Sequence, residues 1–161
     1  MTIDWTQWKP GVLATLMFII DEAGGRVLLI RKKRGLGAGK INGPGGKIDP
    51  GETSVQCAIR ETQEELGVTA IDPVKHGELW FQFVDGLGLH VDVFVATKHE
   101  GEPVETDEAI PLWTSLEKLP LEEMWADDRF WLEDMLVSRR HFIGRFTFDD
   151  DTMLSSEMEW L

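Results

Sequence analysis

The chain has 161 residues, 42% apolar and 28% charged, the size and balance of a single globular domain with a substantial core. Its formal charge of −13 repels polynucleotides unless a local basic patch dominates, so no nucleic-acid polymer is expected as a partner. The longest apolar run, Val12 to Ile20, is too short to span a bilayer, and the opening residues lack the basic-then-apolar layout of a secretory signal. The single cysteine, Cys57, rules out an internal disulfide framework and fits a reducing, cytoplasmic compartment.

In chain order, residues 1–11, with Trp5 and Trp8, are expected to form a loosely ordered N-terminal extension. Val12 to Ile20 and Arg26 to Ile30 are apolar runs flanking Asp21-Glu-Ala-Gly-Gly, which predicts a hairpin-like pair of strands. Residues 26–48 hold Arg26, Arg31, Lys32, Lys33, Arg34, Lys40 and Lys47 and no acid. They suit either a charged edge that blocks aggregation or a cationic rim for a small polyphosphate. Gly35 to Gly39 and Gly43 to Gly46 break regular structure. Thr53 to Leu66 reads as helix. Glu78 to Val84 alternates with period two, placing Leu79, Phe81 and Phe83 on one face, and Asp85-Gly-Leu-Gly turns it into a strand from His90 to Thr97. A short strand from Ala109 to Thr114, a helix from Asp128 to Arg140 and a strand from Phe142 to Phe148 complete a single α+β domain over residues 1–161 with a mixed sheet.

The first helix carries the chemistry. Thr53 and Gln56 have capping-box spacing, and Gly67 suits a left-handed C-terminal cap. At ~100° per residue, Val55, Ala58, Ile59, Thr62 and Leu66 form one buried stripe, from which Cys57 points away. Glu61, Glu64 and Glu65 gather on its flank, where each i,i+4 repulsion costs several tenths of a kcal/mol. Arg60 offsets part of that, and a hard divalent cation would offset more, because Mg²⁺ favours oxygen ligands. A solvated acidic helix face is the simpler alternative. No cysteine–histidine grouping suggests zinc.

The segment from Gly46 through Glu52 to Arg60-Glu61-Thr62-Gln63-Glu64-Glu65-Leu66-Gly67-Val68 resembles the Nudix box throughout residues 46–68. Only Thr62 departs, standing where the family has a large aliphatic residue, and its hydroxyl can bond back to the Ala58 carbonyl. The resemblance implies the Nudix fold, a mixed β-sheet sandwiched between helices (α/β/α). It also implies Mg²⁺, with Mn²⁺ as a substitute, on Glu61, Glu64, Glu65 and the Gly46 carbonyl. Arg60 would orient the catalytic carboxylates together with Glu52, and Glu108 is a further ligand or base. The reaction implied is hydrolysis of a nucleoside diphosphate linked to another group, with the ion neutralising phosphate charge and a carboxylate accepting a proton.

The flanks are more specific. Residues 31–47, 101–108, 123–128 and 142–148 resemble segments of animal-type oxidised-purine nucleoside triphosphatases, a likeness running from about Thr15 to Phe148. That resemblance implies conversion of triphosphates such as 8-oxo-dGTP or 2-oxo-dATP to monophosphate and pyrophosphate, cleansing the nucleotide pool and preventing DNA damage. Asn42, Trp125, Asp127 and Asp128 match base-recognition positions; Thr15, Lys32, Phe81 and Phe83 match other pocket positions. Carboxylates suit the N–H donors of an oxidised guanine, Asn42 can donate and accept, and Trp125 offers a stacking face. Two adjacent buried acids would raise one pKa, so that one could donate. Individually, Asp127 or Asp128 also suits a helix N-cap, Trp125 a core position and Asn42 a turn. Leu36, Ile41, Leu89 and Ala109 depart from the pattern, mostly replacing larger or aromatic groups, which predicts a roomier base pocket. A small-molecule substrate and a monomer are expected. Rival readings are a Nudix hydrolase for general NTPs or dinucleoside polyphosphates, and a non-catalytic Nudix-fold module.

Overall fold

The computed structural model describes residues 1–161. The strands are β1 (Val12–Asp21), β2 (Arg26–Lys32), β3 (Ile41–Asn42), β4 (Gly45–Lys47), β5 (Thr69–Ile71), β6 (Val74–Phe83), β7 (Gly88–Ala96), β8 (Lys98–Glu100), β9 (Ala109–Ser115), β10 (Phe142–Asp149) and β11 (Thr152–Trp160). The helices are α1 (Ser54–Leu66) and α2 (Asp128–Ser138). Nine strands form one mixed sheet in the order β11-β10-β6-β7-β1-β2-β3, with β4 also paired to β1 and β9 to β2; β5 and β8 form a separate pair. The β1–β7 and β10–β6 pairs are parallel, and the β6–β7 and β1–β2 pairs antiparallel. No helix is long and apolar enough to cross a membrane.

Alternation along β1 explains why its run is apolar without a break: both faces are covered. Phe18 and Ile20 enter a core with Trp131, Leu132, Met135 and Leu136 of α2. Met17 and Ile19 enter a second core with Ala58 and Leu66 of α1. One helix therefore lies on each face of the sheet.

Helix α1 begins as its residues dictate. The Thr53 hydroxyl accepts from the Gln56 N–H at 3.2 Å while the Gln56 side chain accepts from the Thr53 N–H at 2.9 Å. Gly67 ends the helix at φ 73°. The Thr62 hydroxyl donates to the Ala58 carbonyl at 2.8 Å, so the polar group inside the buried stripe is satisfied. Cys57 corrects the wheel: it is fully buried. The strip β4 folds over that side of α1, bringing the Gly46 and Lys47 carbonyls to 3.5 and 3.4 Å from Cys57 Sγ and leaving the thiol no route to solvent.

Helix α2 stops at Ser138, short of Arg140, because Arg139 adopts φ 54°. The unforeseen strand β11 is mostly exposed and weakly alternating, and pairing with β10 defines it. Arg145 on β10 fastens it through Glu157 at 3.0 Å and Glu159 at 3.3 Å. Residues 1–11 are held against the sheet rather than loose. Trp8 stacks on Trp80 (centroids 5.5 Å apart, 15° between planes), Trp5 meets both rings edge-on, and Trp8 Nε1 donates to Gln82 Oε1 at 2.8 Å. Trp8→Ala is expected to cost about 1–3 kcal/mol from lost stacking and burial. Urea unfolding reads this directly, and an unchanged midpoint would show that the segment contributes nothing.

Candidate active site

A cleft of about 450 Å³ opens between the ends of β1, β6 and β7 on one side and Trp125, Asp127 and Asp128 on the other. Glu65 lies at one end of it, and a shallower polar depression continues outward past Glu61, Glu64, Glu108, Lys32 and Lys47.

At the carboxylate end, one oxygen each of Glu61, Glu65 and Glu108 lies within 4.8 Å of the others. Adjacent turns of α1 supply the first two. The loop before β9 supplies Glu108, tied to the helix by Thr106, whose hydroxyl donates to the Glu65 carbonyl at 2.7 Å and accepts from the Glu108 N–H at 3.2 Å. Glu64 borders the same depression but lies outside this triad, bonded to Arg60 at 3.1 Å. Gly46 faces Glu61 so closely that a Cβ there would sit 2.5 Å from the carboxyl carbon; a side chain at this position would displace the carboxylate from its bond to Arg60.

Arg60 organises the cluster. Its Nε and Nη2 grip both oxygens of Glu52 at 2.7 and 2.9 Å, Nη1 reaches Glu61 at 2.9 Å, and Nη2 reaches the Lys47 carbonyl at 3.2 Å. This two-pronged geometry is one that guanidinium makes and ammonium does not. Arg60 and the Asp49 N–H hold the Glu52 carboxyl down at about 2. Glu65 is the reverse: burial, with Glu61 and Glu108 adding repulsion, pushes it up to about 8 against one stabilising bond from the Gly45 N–H at 2.9 Å. Burial first, then Glu64 and Glu108, raise Glu61 as well.

These residues fit a hard cation. They offer oxygen donors only, and no lysine or arginine lies within ion-pair distance of Glu65, so the repulsion there is offset only by the more distant Lys32 charge. A second acidic cluster shows the contrast. Glu78, His90 and Asp92 on β6 and β7 also converge, but Lys75 already sits 3.0 Å from Glu78 and 3.1 Å from Asp92.

The other end of the cleft is aromatic and apolar around two acids. Asp127 is fully buried and Asp128 is 4% exposed. Asp127 stands at the N-cap position of α2, yet its side chain makes no cap bond; Oδ2 accepts from Trp131 Nε1 at 2.9 Å. Asp127 Oδ1 and Asp128 Oδ2 have no partner. Burial raises Asp127 to about 6, and burial plus the Asp127 charge raises Asp128 well above its ordinary value. Nearby, Asn42 Oδ1 accepts from the Gly43 N–H at 2.8 Å. That bond uses one lone pair of the amide oxygen and leaves the amide's two N–H donors without a partner in the protein. Phe81 and Phe83 stack on Phe146 and Phe148, and Trp125 stands edge-on to Phe83 and Phe148. Thr15 is buried in the cleft wall, 3.3 Å from Cys57 Sγ.

The structure thus brings the singled-out side chains to this cleft or to the depression beyond it, apart from Arg60 and Glu52, which lie behind the carboxylates and reach the depression through the Arg60 bonds to Glu61 and Glu64. Of the departing positions, Leu36 and Leu89 line the cleft. Ile41 and Ala109 are core residues outside its lining. Most of the basic patch is spent on ion pairs: Arg26 with Asp21, Arg31 with Glu123, Lys33 with Glu105, Arg34 with Glu108 and Lys40 with Asp151. Lys32 and Lys47 have no such partner, and both line the cleft and its mouth. Sequence reasoning missed Thr106, Cys57 and Phe148, whose roles depend on contacts between distant elements.

Both aspartates titrate higher in the folded state than the ~3.9 of an unfolded Asp. The folded protein therefore retains protons that the unfolded chain has released, and its stability falls as pH rises from ~4 through about 6 and beyond. Asp128→Asn should make that decline shallower. Urea midpoints measured from pH 5 to 8 check this, and a slope equal to the parent's would show that the pair is not strained.

Comparison with known proteins agrees with this geometry. Residues 11–135 match the NUDIX domain. The chain is 47% identical to the oxidized purine nucleoside triphosphate hydrolase of Danio rerio, covering 84% of this chain and 86% of that one. It is 41% identical to the mouse protein of the same name, over 89% and 91%. Among solved structures, a MutT protein from Bacillus halodurans superposes with TM-score 0.81 at 30% identity, covering 92% of this chain and 97% of that one. On the match over residues 11–135 and these identities, the chain belongs to the Nudix hydrolases.

Proposed function

We propose that this protein hydrolyses oxidised purine nucleoside triphosphates, of which 8-oxo-dGTP and 2-oxo-dATP are representative, to the monophosphate and pyrophosphate. It would act as a cytoplasmic monomer that removes damaged nucleotides before a polymerase can use them. The observation that carries this reading is the buried Asp127–Asp128 pair, which has an unpartnered oxygen on each residue and lines the same cleft as Glu65. Animal relatives named as oxidized purine nucleoside triphosphate hydrolases, and an Escherichia coli relative named 8-oxo-dGTP diphosphatase, point the same way.

The base would enter with its pairing edge toward Asn42, Asp127 and Asp128 and its face on Trp125. An oxidised guanine presents N–H donors beside a carbonyl. An ionised Asp127 accepts from the former, while a protonated Asp128 or the Asn42 amide donates to the latter. Moving the proton within the pair changes the pattern it reads, so more than one modified purine fits. Buried polar groups left unpaired by a mismatched base are costly, which is the source of discrimination.

The triphosphate would lie toward Lys32 and Lys47, with Glu61, Glu64, Glu65 and the Gly46 carbonyl holding Mg²⁺. When bound, that ion supplies charge neutralisation at the phosphate oxygens. Arg60 and Glu52 fix the direction in which Glu61 and Glu64 point. Glu108, or one of the helix carboxylates, takes the proton from the attacking water.

Two measurements test this reading. Mg²⁺ should raise the melting temperature of the parent, and Glu65→Gln should remove most of that increase; a full shift in the variant would take Glu65 out of the metal site. A substrate panel with product analysis should show pyrophosphate release and a marked preference for modified purines. Asn42→Ala and Asp128→Ala should each lower kcat/KM for 8-oxo-dGTP about 10- to 100-fold. Equal turnover of dGTP and 8-oxo-dGTP, with no modified purine preferred, would sink the proposal.

A further inference from the structure

Lys40 belongs to the basic patch yet fits neither role foreseen for it. It is not among the residues lining the cleft, and its ion pair with Asp151 is long, 3.5 Å, to a largely exposed carboxylate; such pairs contribute little. Its side chain is nevertheless mostly covered, and what covers it includes the indole of Trp125: Nζ lies 5.2 Å from the ring centroid. Trp125 does line the cleft. The ammonium therefore approaches the ring from outside the cleft lining.

The rest of the mounting is equally specific. Phe83 and Phe148 meet Trp125 at 79° and 89°, fixing the tilt of the ring. Gly37, at φ 78°, passes so close that a Cβ would lie 2.8 Å from the indole nitrogen. The Lys40 backbone is pinned to the same loop, its N–H donating to the Gly37 carbonyl at 2.9 Å and its carbonyl accepting from the Lys32 N–H at 3.0 Å. Loop, cation and ring are thus a single assembly.

We propose that Lys40 is a positioning residue that acts on the purine through Trp125, which rests on the reading of Trp125 as the base platform. The cation holds the ring from outside the cleft lining and draws π-electron density toward itself. The opposite face then repels the electron-rich face of a carbonyl-bearing purine less, so stacking strengthens. Lys40 touches neither phosphate nor base.

The test is a double-mutant cycle on 8-oxo-dGTP hydrolysis. Lys40→Met, which keeps the length and removes the charge, should raise KM about two- to fivefold with little change in kcat, and Lys40→Arg should restore the parent value. In a Trp125→Leu background, where the ring is absent, Lys40→Met should have no further effect. An unchanged KM in Lys40→Met, alongside a raised KM in Trp125→Leu, overturns this inference alone. An equal rise in both backgrounds also overturns it, because Lys40 would then act without the ring. An unchanged KM in Trp125→Leu removes the base platform and this inference together.

Discussion

The grip of Arg60 on Glu52, Glu61 and Glu64 is the interaction on which the polar half of the molecule depends. Carboxylates cannot be crowded on one helix flank without a counter-charge, and the guanidinium supplies one from the same helix. Because its bonds run both to α1 and to the Lys47 carbonyl of β4, it also joins helix to sheet edge. It leaves Glu65 alone, and that omission is informative. A cluster that already holds a cation has less use for an ion, as the Lys75-centred group on β6 and β7 illustrates. Here the deepest carboxylate keeps its repulsion and its raised pKa.

The two ends of the cleft apply the same physics to different ends. Burial penalises charge at both, on Glu65 and on the aspartate pair. At the helix the penalty favours a divalent cation. At Asp127 and Asp128 it favours a proton, which turns one carboxylate into a donor. The apolar surroundings from Phe81, Phe83 and Trp125 are therefore as much a part of the polar recognition as the oxygens themselves.

Much of this was legible in the residues. The capping box, the glycine cap and the back-bonded Thr62 follow from local rules, and all appear in the structure. Strands with clear alternation were found, although the one read as Glu78 to Val84 begins earlier, at Val74, and ends at Phe83. Elements defined by pairing rather than pattern were not. Strip β4 is two glycines and a lysine, with no period to read, and exists because β1 offers it a partner. Its presence is also what buries Cys57 and defeats the helical wheel, which treats a helix as packed on one side only. The N-terminal tryptophans gave no sign of their contact, since Trp80 lies some seventy positions away. The departures at Ile41 and Ala109 illustrate the same limit: both are core positions, so only Leu36 and Leu89 bear on the shape of the cleft.

Cys57 itself has a further consequence. The only thiol in the chain is sealed behind β4, between the Thr15 hydroxyl, two backbone carbonyls and the Arg60 guanidinium, whose Nη2 lies 3.8 Å from the sulfur. A reagent reaches it when β4 lifts from α1, and that same movement separates Gly46 from Glu61. The rate at which the native protein is alkylated would therefore report the frequency with which its catalytic seam breathes, without any label having to be introduced.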